Sequence, residues 1–262
     1  YHVSGAWRIS SEPFLRDVGM IDDLKLRVSY GLSGNDDIGN YYSSRYYEQV
    51  KFRETTGVIL GNISITDLKY EEVQDFDIGL DYSMLGEKIT FSLDYFRSRT
   101  SDMLIYEKQD AFIGYPYRPT NGGVIRNTGF EASIRGDLIY TNDFQLRAGL
   151  NISTYTNEVL SIKGDSLIID IPGGQLMSKP GFAVNSFYGY QADGILNTTQ
   201  EANEANLVND IGLPYKAGDM KYLDLNGPGG VPDGVINEYD KTIIGSPNPD
   251  FIGGVNLSAT YK

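Results

Sequence analysis

The sequence predicts an all-β chain: part of a large antiparallel transmembrane β-barrel with long outer loops. Three observations predict it. Apolar and polar residues alternate with a period of two in about seven segments, which is the periodicity of a strand with two unlike faces. The polar positions carry Asp, Glu, Lys and Arg as well as Ser and Thr. The connections alternate between tight and long, as in barrels with short periplasmic turns and long outer loops.

In chain order, the first segment is residues 2–10. Residues 24–32 place Leu24, Leu26, Val28, Tyr30 and Leu32 opposite Lys25, Arg27, Ser29 and Gly31. Residues 75–82 set Phe76, Ile78, Leu80 and Tyr82 against Asp75, Asp77, Gly79 and Asp81. In 88–98, Ile89, Phe91, Leu93 and Tyr95 oppose Thr90, Ser92, Asp94 and Ser98. In 129–140, Phe130, Ala132, Ile134 and Leu138 oppose Glu131, Ser133, Arg135 and Asp137. The clearest segment is 143–155, with Phe144, Leu146, Ala148, Leu150 and Ile152 on one face. Residues 251–261 close the set with Phe251, Val255, Leu257, Ala259 and Tyr261. Several apolar faces end in an aromatic (Tyr30, Tyr82, Tyr95, Tyr140, Tyr261), as expected of interfacial girdles.

The tight connections are Leu85-Gly86-Glu87 and Thr141-Asn142-Asp143; the long ones span roughly 33–70, 99–121 and 156–250. Strands at 24–32, 88–98 and 143–155 then run outward and the other four inward. A soluble sandwich would share the alternation, since its polar faces would meet bulk water. The faces themselves say which side is inside: Lys or Arg turned to lipid costs about 2–4 kcal/mol at the midplane. Arg8, Lys25, Arg27, Asp75, Asp77, Asp81, Asp94, Glu131, Arg135, Asp137 and Arg147 therefore belong to a lumen wall.

Composition narrows function. The 262 residues hold 22 Lys+Arg against 35 Asp+Glu, a net charge of −13, which opposes a nucleic-acid partner. There is no cysteine, so neither a disulfide framework nor a thiolate metal site. No apolar run reaches about 18 residues, which excludes a spanning helix but not a spanning strand. His2 is the only histidine and has no nucleophile or metal partner in sequence; with no phosphate or dinucleotide loop either, the chain reads as not an enzyme. The start carries no signal peptide, and the end still alternates at Tyr261-Lys262, so the chain reads as an excerpt with strands missing on both sides.

Ordered pieces of the chain resemble the barrel of SusC/RagA-type TonB-dependent transporters of Bacteroidetes. The pieces begin with Trp7-Arg8-Ile9-Ser10-Ser11-Glu12-Pro13-Phe14 and Leu24 through Asn35. They continue with Leu68-Lys69-Tyr70-Glu71, Phe76 through Asp81, Leu93-Asp94-Tyr95-Phe96 and Thr100 through Leu104. Next come Asn127-Thr128-Gly129-Phe130-Glu131, Ser186 through Tyr190, and Asp193-Gly194-Ile195. Ala217-Gly218-Asp219, Asp224 through Gly227, and Gly245 through Phe251 complete the series.

The resemblance implies that 1–262 is one segment, from the C-terminal half, of a single barrel domain of about 22 strands. The plug domain, TonB box and signal peptide would lie outside it. It further implies an outer-membrane importer of oligosaccharides or peptides, driven through the TonB–ExbB–ExbD complex and capped by a SusD-like surface lipoprotein. The reading from another class is a surface-exposed, calcium-stabilised β-rich binding or adhesion protein.

Two site expectations follow. Asp224, Asn226, Asp233, the Val235 carbonyl and Asp240 resemble a calcium loop, with Gly234 allowing a sharp turn. Six residues separate Asn226 from Asp233 where the compact pattern has one, so an Asp/Asn/Gly-rich turn fits as well. Aromatics concentrate in the long connections, with Tyr41, Tyr42, Tyr115, Tyr117, Tyr188 and Tyr190 as candidate substrate or partner contacts, alongside Tyr46, Tyr47, Phe112 and Phe187. Their flat faces suit sugar rings and protein interfaces alike.

Overall fold

The computed structural model describes residues 1–15, 18–35, 44–61, 65, 67–110, 112, 117–227 and 229–262. Its strands are β1 (His2–Arg8), β2 (Asp23–Asn35), β3 (Tyr47–Phe52), β4 (Thr55–Leu60), β5 (Glu71–Met84), β6 (Ile89–Lys108), β7 (Tyr117–Tyr140) and β8 (Phe144–Ile162). They continue as β9 (Leu167–Ile171), β10 (Gly174–Ser178), β11 (Ser186–Tyr190) and β12 (Ala192–Ile195), followed by helix α1 (Thr199–Ala205). The last are β13 (Val208–Asn209), β14 (Met220–Tyr222), β15 (Val235–Ile236), β16 (Lys241–Gly245) and β17 (Ile252–Tyr261). Two compact units result: residues 1–165 with 248–262, and residues 166–247.

The first unit is built on one antiparallel sheet of seven strands in the order β1-β2-β5-β6-β7-β8-β17. These are the seven segments the alternation marks, each paired with its neighbour in sequence. Directly opposed residues in an antiparallel pair share a face, so the register sorts every side chain. One row reads Trp7, Leu26, Leu80, Leu93, Ala132, Ile152 and Gly253 across all seven strands. The row beside it on the other face reads Ala6, Arg27, Gly79, Asp94, Glu131, Ser153 and Ile252. A one-residue slip anywhere would exchange the faces, so the pattern and the pairing fix each other.

The apolar face is bare. Leu150 is 49% exposed, Phe130 52% and Val255 80%. The buried hydrophobic residues lie elsewhere: Ile105, Val159 and Ile162 in the far ends of β6 and β8, and Met177, Leu196, Leu207 and Ile236 in the second unit. Along β8 the apolar face runs from Phe144 to Ile152, roughly 27 Å of strand at about 3.4 Å per residue. A tilt of about 35–45° reduces that to about 19–22 Å along the membrane normal, most of a barrel's lipid-facing band of about 25 Å.

The ends of the strands depart from expectation. β6 continues to Lys108 and β7 begins at Tyr117, so most of the connection assigned to 99–121 is paired strand. The connection 33–70 contains the hairpin β3–β4. The connection 156–250 is largely the second unit, with β16-β11-β10-β9 as a four-stranded sheet. In β7 a bulge between Asp137 and Ile139 puts Ile139 opposite Leu146 and Tyr140 opposite Gln145. Tyr140 thereby leaves the apolar row assigned to it, because one extra residue reverses the alternation beyond the bulge. The tight turns stand as expected. Leu85, Gly86 and Glu87 all have φ between 60° and 70°, and the Glu87 amide donates to Asp22 at 2.8 Å.

Candidate lumen wall and loop sites

All eleven charged residues assigned to the lumen wall lie on the polar face of the sheet. They form short cross-strand networks. The Arg27 guanidinium donates through Nε to Asp81 at 2.8 Å and through Nη2 to Asp81 at 3.0 Å and Asp94 at 2.7 Å. Lys25 Nζ stands 3.9 Å from the same Asp81 carboxylate. Arg27 pairs across β2–β5 with Gly79, and a Cβ at Gly79 would fall 2.2 Å from Asp94 Oδ1. The bare glycine is what lets the guanidinium cross strand β5. Arg8 pairs with Asp23 and Arg147 with Asp137 at 2.6 Å. These half-exposed pairs are each worth at most about 1 kcal/mol, so they tune the wall more than they hold it.

Between these networks the polar face forms an open trough of about 560 Å³, lined by Asp81, Ser92, Ser133, Arg135, Asn151 and Asn256 among others. Ser92 and Ser133 share a hydrogen bond at 2.9 Å. Asn151 lies over Gly254 and Asn256 over Gly149, so amides floor the trough where larger side chains would fill it. Such a surface offers hydroxyl, amide and charged groups to water or to a polar solute.

The second unit contains the proposed calcium loop. Asp240 is fully buried; one carboxylate oxygen accepts from the Leu225 and Asn226 amides at 2.8 and 3.0 Å, and the other from Asn237 at 2.8 Å. Asp224 accepts from the Asp233 and Gly234 amides, and Asp233 from Val235 at 2.9 Å. The carboxylates therefore organise the turn by binding its backbone, the pattern of Asx-type loops. Among the described residues no three of His, Cys, Asp and Glu are grouped to hold a metal ion.

Of the loop aromatics, Tyr41, Tyr42 and Tyr115 lie outside the described residues, and Tyr117 opens β7 opposite Lys108. Tyr188 and Tyr190 share one face of β11. The Tyr190 ring lies 5.5 Å from that of Tyr222, which in turn meets Tyr215 at 6.4 Å. Lys241 Nζ sits 5.4 Å above the Tyr190 ring and bonds Glu238 at 2.7 Å. Burial pushes the Tyr190 and Tyr215 hydroxyls above their ordinary range. Burial works to lower Lys241, but its bond to Glu238 outweighs this and holds it high. Tyr215, Tyr222 and Lys241 are absent from the sequence candidates. The pairing of β11 with β16 brings Lys241 to Tyr190, and that of β12 with β14 places Tyr222.

A sheet apolar and exposed on one face, charged on the other and, among the described residues, unpaired at both edges is the wall of an outer-membrane β-barrel. The match of residues 4–262 to the TonB dependent receptor-like β-barrel model makes the chain a member of that family, one of receptors and not of enzymes. It is 31% identical to a TonB-dependent receptor of Formosa agariphila over 98% of its length, covering 26% of that protein. It is 29% identical to the TonB-dependent receptor SusC of Bacteroides thetaiotaomicron, covering 98% of the chain and 25% of SusC. The chain thus spans about a quarter of the curated relatives it matches. Among solved structures, the RagAB peptide transporter superposes over the whole chain with a TM-score of 0.80 at 22% identity, using 27% of that chain. The chain is a SusC/RagA-like barrel segment of the outer membrane.

Proposed function

We propose that this wall belongs to a SusC-like importer that carries a nutrient, such as an oligosaccharide or a peptide, across the outer membrane by TonB-dependent transport. The observation that carries the reading is the division of the seven-stranded sheet, over the middle of its strands, into a lipid face and a charged, amide-lined lumen face. Such a wall encloses an aqueous path and performs no chemistry, so the work is binding and gated passage. Energy would come from the TonB–ExbB–ExbD complex through other parts of the protein, and a SusD-like lipoprotein would cap the barrel. The names of SusC and of the RagAB peptide transporter support this. The adhesion reading finds less support, because the match to the β-barrel family runs over residues 4–262.

The test uses the full-length protein in its own cell. Deleting it should abolish uptake of one class of labelled oligosaccharide or peptide, and re-expression should restore it. Loss of TonB should give the same defect. Uptake that persists in the TonB-deficient strain would overturn the reading.

A further inference from the structure

At the long-connection end, the apolar face turns basic. The last aromatic pair is Tyr95 and Phe130, with ring centroids 5.0 Å apart. In the next two rows β6 presents Arg97 and then Arg99, and β7 presents Arg126 beside Arg99. The register reads Phe76, Arg97, Thr128 and Thr156, then Gln74, Arg99, Arg126 and Glu158. These residues share the face of Ile78, Leu93 and Phe130, the face that hydrocarbon covers, and not the lumen face. Arg99 and Arg126 stand directly opposite each other, an arrangement that destabilises a sheet when nothing anionic lies between.

The nearby carboxylates are already engaged. Arg126 is paired with Glu158, and Glu72 accepts from the Gln74 amide at 2.8 Å. Arg97 and Arg99 are exposed and form no ion pair among the described residues. The chain as a whole is strongly acidic, so exposed arginines gathered just beyond an aromatic girdle run against its composition.

We propose that Arg97 and Arg99, with Arg126 beside them, bind the phosphate groups of an anionic lipid in the leaflet at the long-connection end of the barrel. Charge complementarity and height select this occupant. A lumen solute cannot reach the outward face, whereas a lipid whose chains cover Leu93 and Phe130 brings its headgroup to this level. The planar guanidinium takes two phosphate oxygens at once, and neighbouring hydrocarbon lowers the local dielectric. The bound phosphate also relieves the repulsion between Arg99 and Arg126. The inference rests on which face meets lipid and does not depend on what the barrel transports.

The test is lipid retention by the full-length protein in detergent, read by native mass spectrometry. The probes are lipid A carrying its phosphates and the same lipid dephosphorylated. Wild-type protein should retain the phosphorylated form about ten-fold better, equivalent to about 1.4 kcal/mol. R97Q/R99Q should lose that preference, and R97K/R99K should keep part of it. Millimolar inorganic phosphate should not displace the lipid. Equal retention of both lipids by the wild type, an unchanged preference in R97Q/R99Q, or displacement by free phosphate would each overturn the proposal. Should R97Q/R99Q fail to fold, the wild-type comparison of the two lipids decides alone. Because no transport is measured, this outcome is separate from that of the uptake test.

Discussion

Arg27 crosses Gly79 to reach Asp94 two strands away, with Nη2 2.7 Å from Oδ1. The contact joins β2, β5 and β6 on the lumen wall, and it exists because position 79 has no side chain. Gly79→Leu should therefore act as a bond-breaking substitution. A charge-assisted hydrogen bond is worth about 1.5–3 kcal/mol when shielded, and this partly exposed one belongs at or below the low end. Gly79→Leu should lower the urea midpoint of the full-length barrel in lipid vesicles. Adding Asp94→Asn should cost little more, since both changes remove the same contact. Full additivity would show that the two residues are uncoupled.

The two faces make opposite demands on one substitution. Leu150→Arg points a guanidinium at hydrocarbon and should cost about 2–4 kcal/mol near the midplane, impairing insertion. Asn151→Arg points into the polar trough and should be tolerated. The folded, heat-shifted band on a gel after outer-membrane assembly measures both. A higher yield for Leu150→Arg than for Asn151→Arg would mean that the facing is reversed, and equal yields that neither face meets lipid.

Asp240 is the most committed polar residue of the second unit: fully buried, with three backbone amides on its carboxylate. Asp240→Ala leaves those donors unpaired, at about 1–3 kcal/mol each if they stay dry. Residues 224–240 should lose amide-exchange protection and become sensitive to protease. Asp240→Asn, which keeps one acceptor, should lose less. The same exchange measurement tests the calcium expectation. An ion held at Asp224 and Asp240 would raise protection in calcium over chelator, whereas the bonds already made to the backbone predict no difference.

Alkaline pH should loosen the Tyr190 cluster. Tyr190 and Tyr215 hold their protons above the ordinary value in the folded unit, so above a pH of about 10 the unfolded chain ionises first. The folded state then binds more protons, and stability falls as pH rises. Lys241, also raised, contributes stability that is present below its unfolded value and lost as pH climbs through the folded one. Both effects have the same sign. Tyrosinate absorbance should show a late-titrating fraction in the folded protein that shrinks in Tyr190→Phe; a single unshifted transition would contradict the burial.

The sequence by itself determined the seven strands of the wall, their two faces, the tight turns and the family. Alternation is a local property, and a lipid-facing sheet has no core to hide it. Leu150 and Asn151 reveal their facings by chemistry alone. The extension of β6 past residue 99 and of β7 back to Tyr117 was not legible, because Pro119, Asn121 and two adjacent glycines read as loop until long-range pairing closes their backbone groups. The reversal of Tyr140 was hidden for a related reason: a bulge of one residue inside a strand leaves composition unchanged. Only the tertiary structure decided that Gly79 is a passage for Arg27, that Asp240 binds its own backbone, and that Arg97, Arg99 and Arg126 form one patch. Each depends on register between strands distant in sequence, which pairwise hydrogen bonding sets and no single segment encodes.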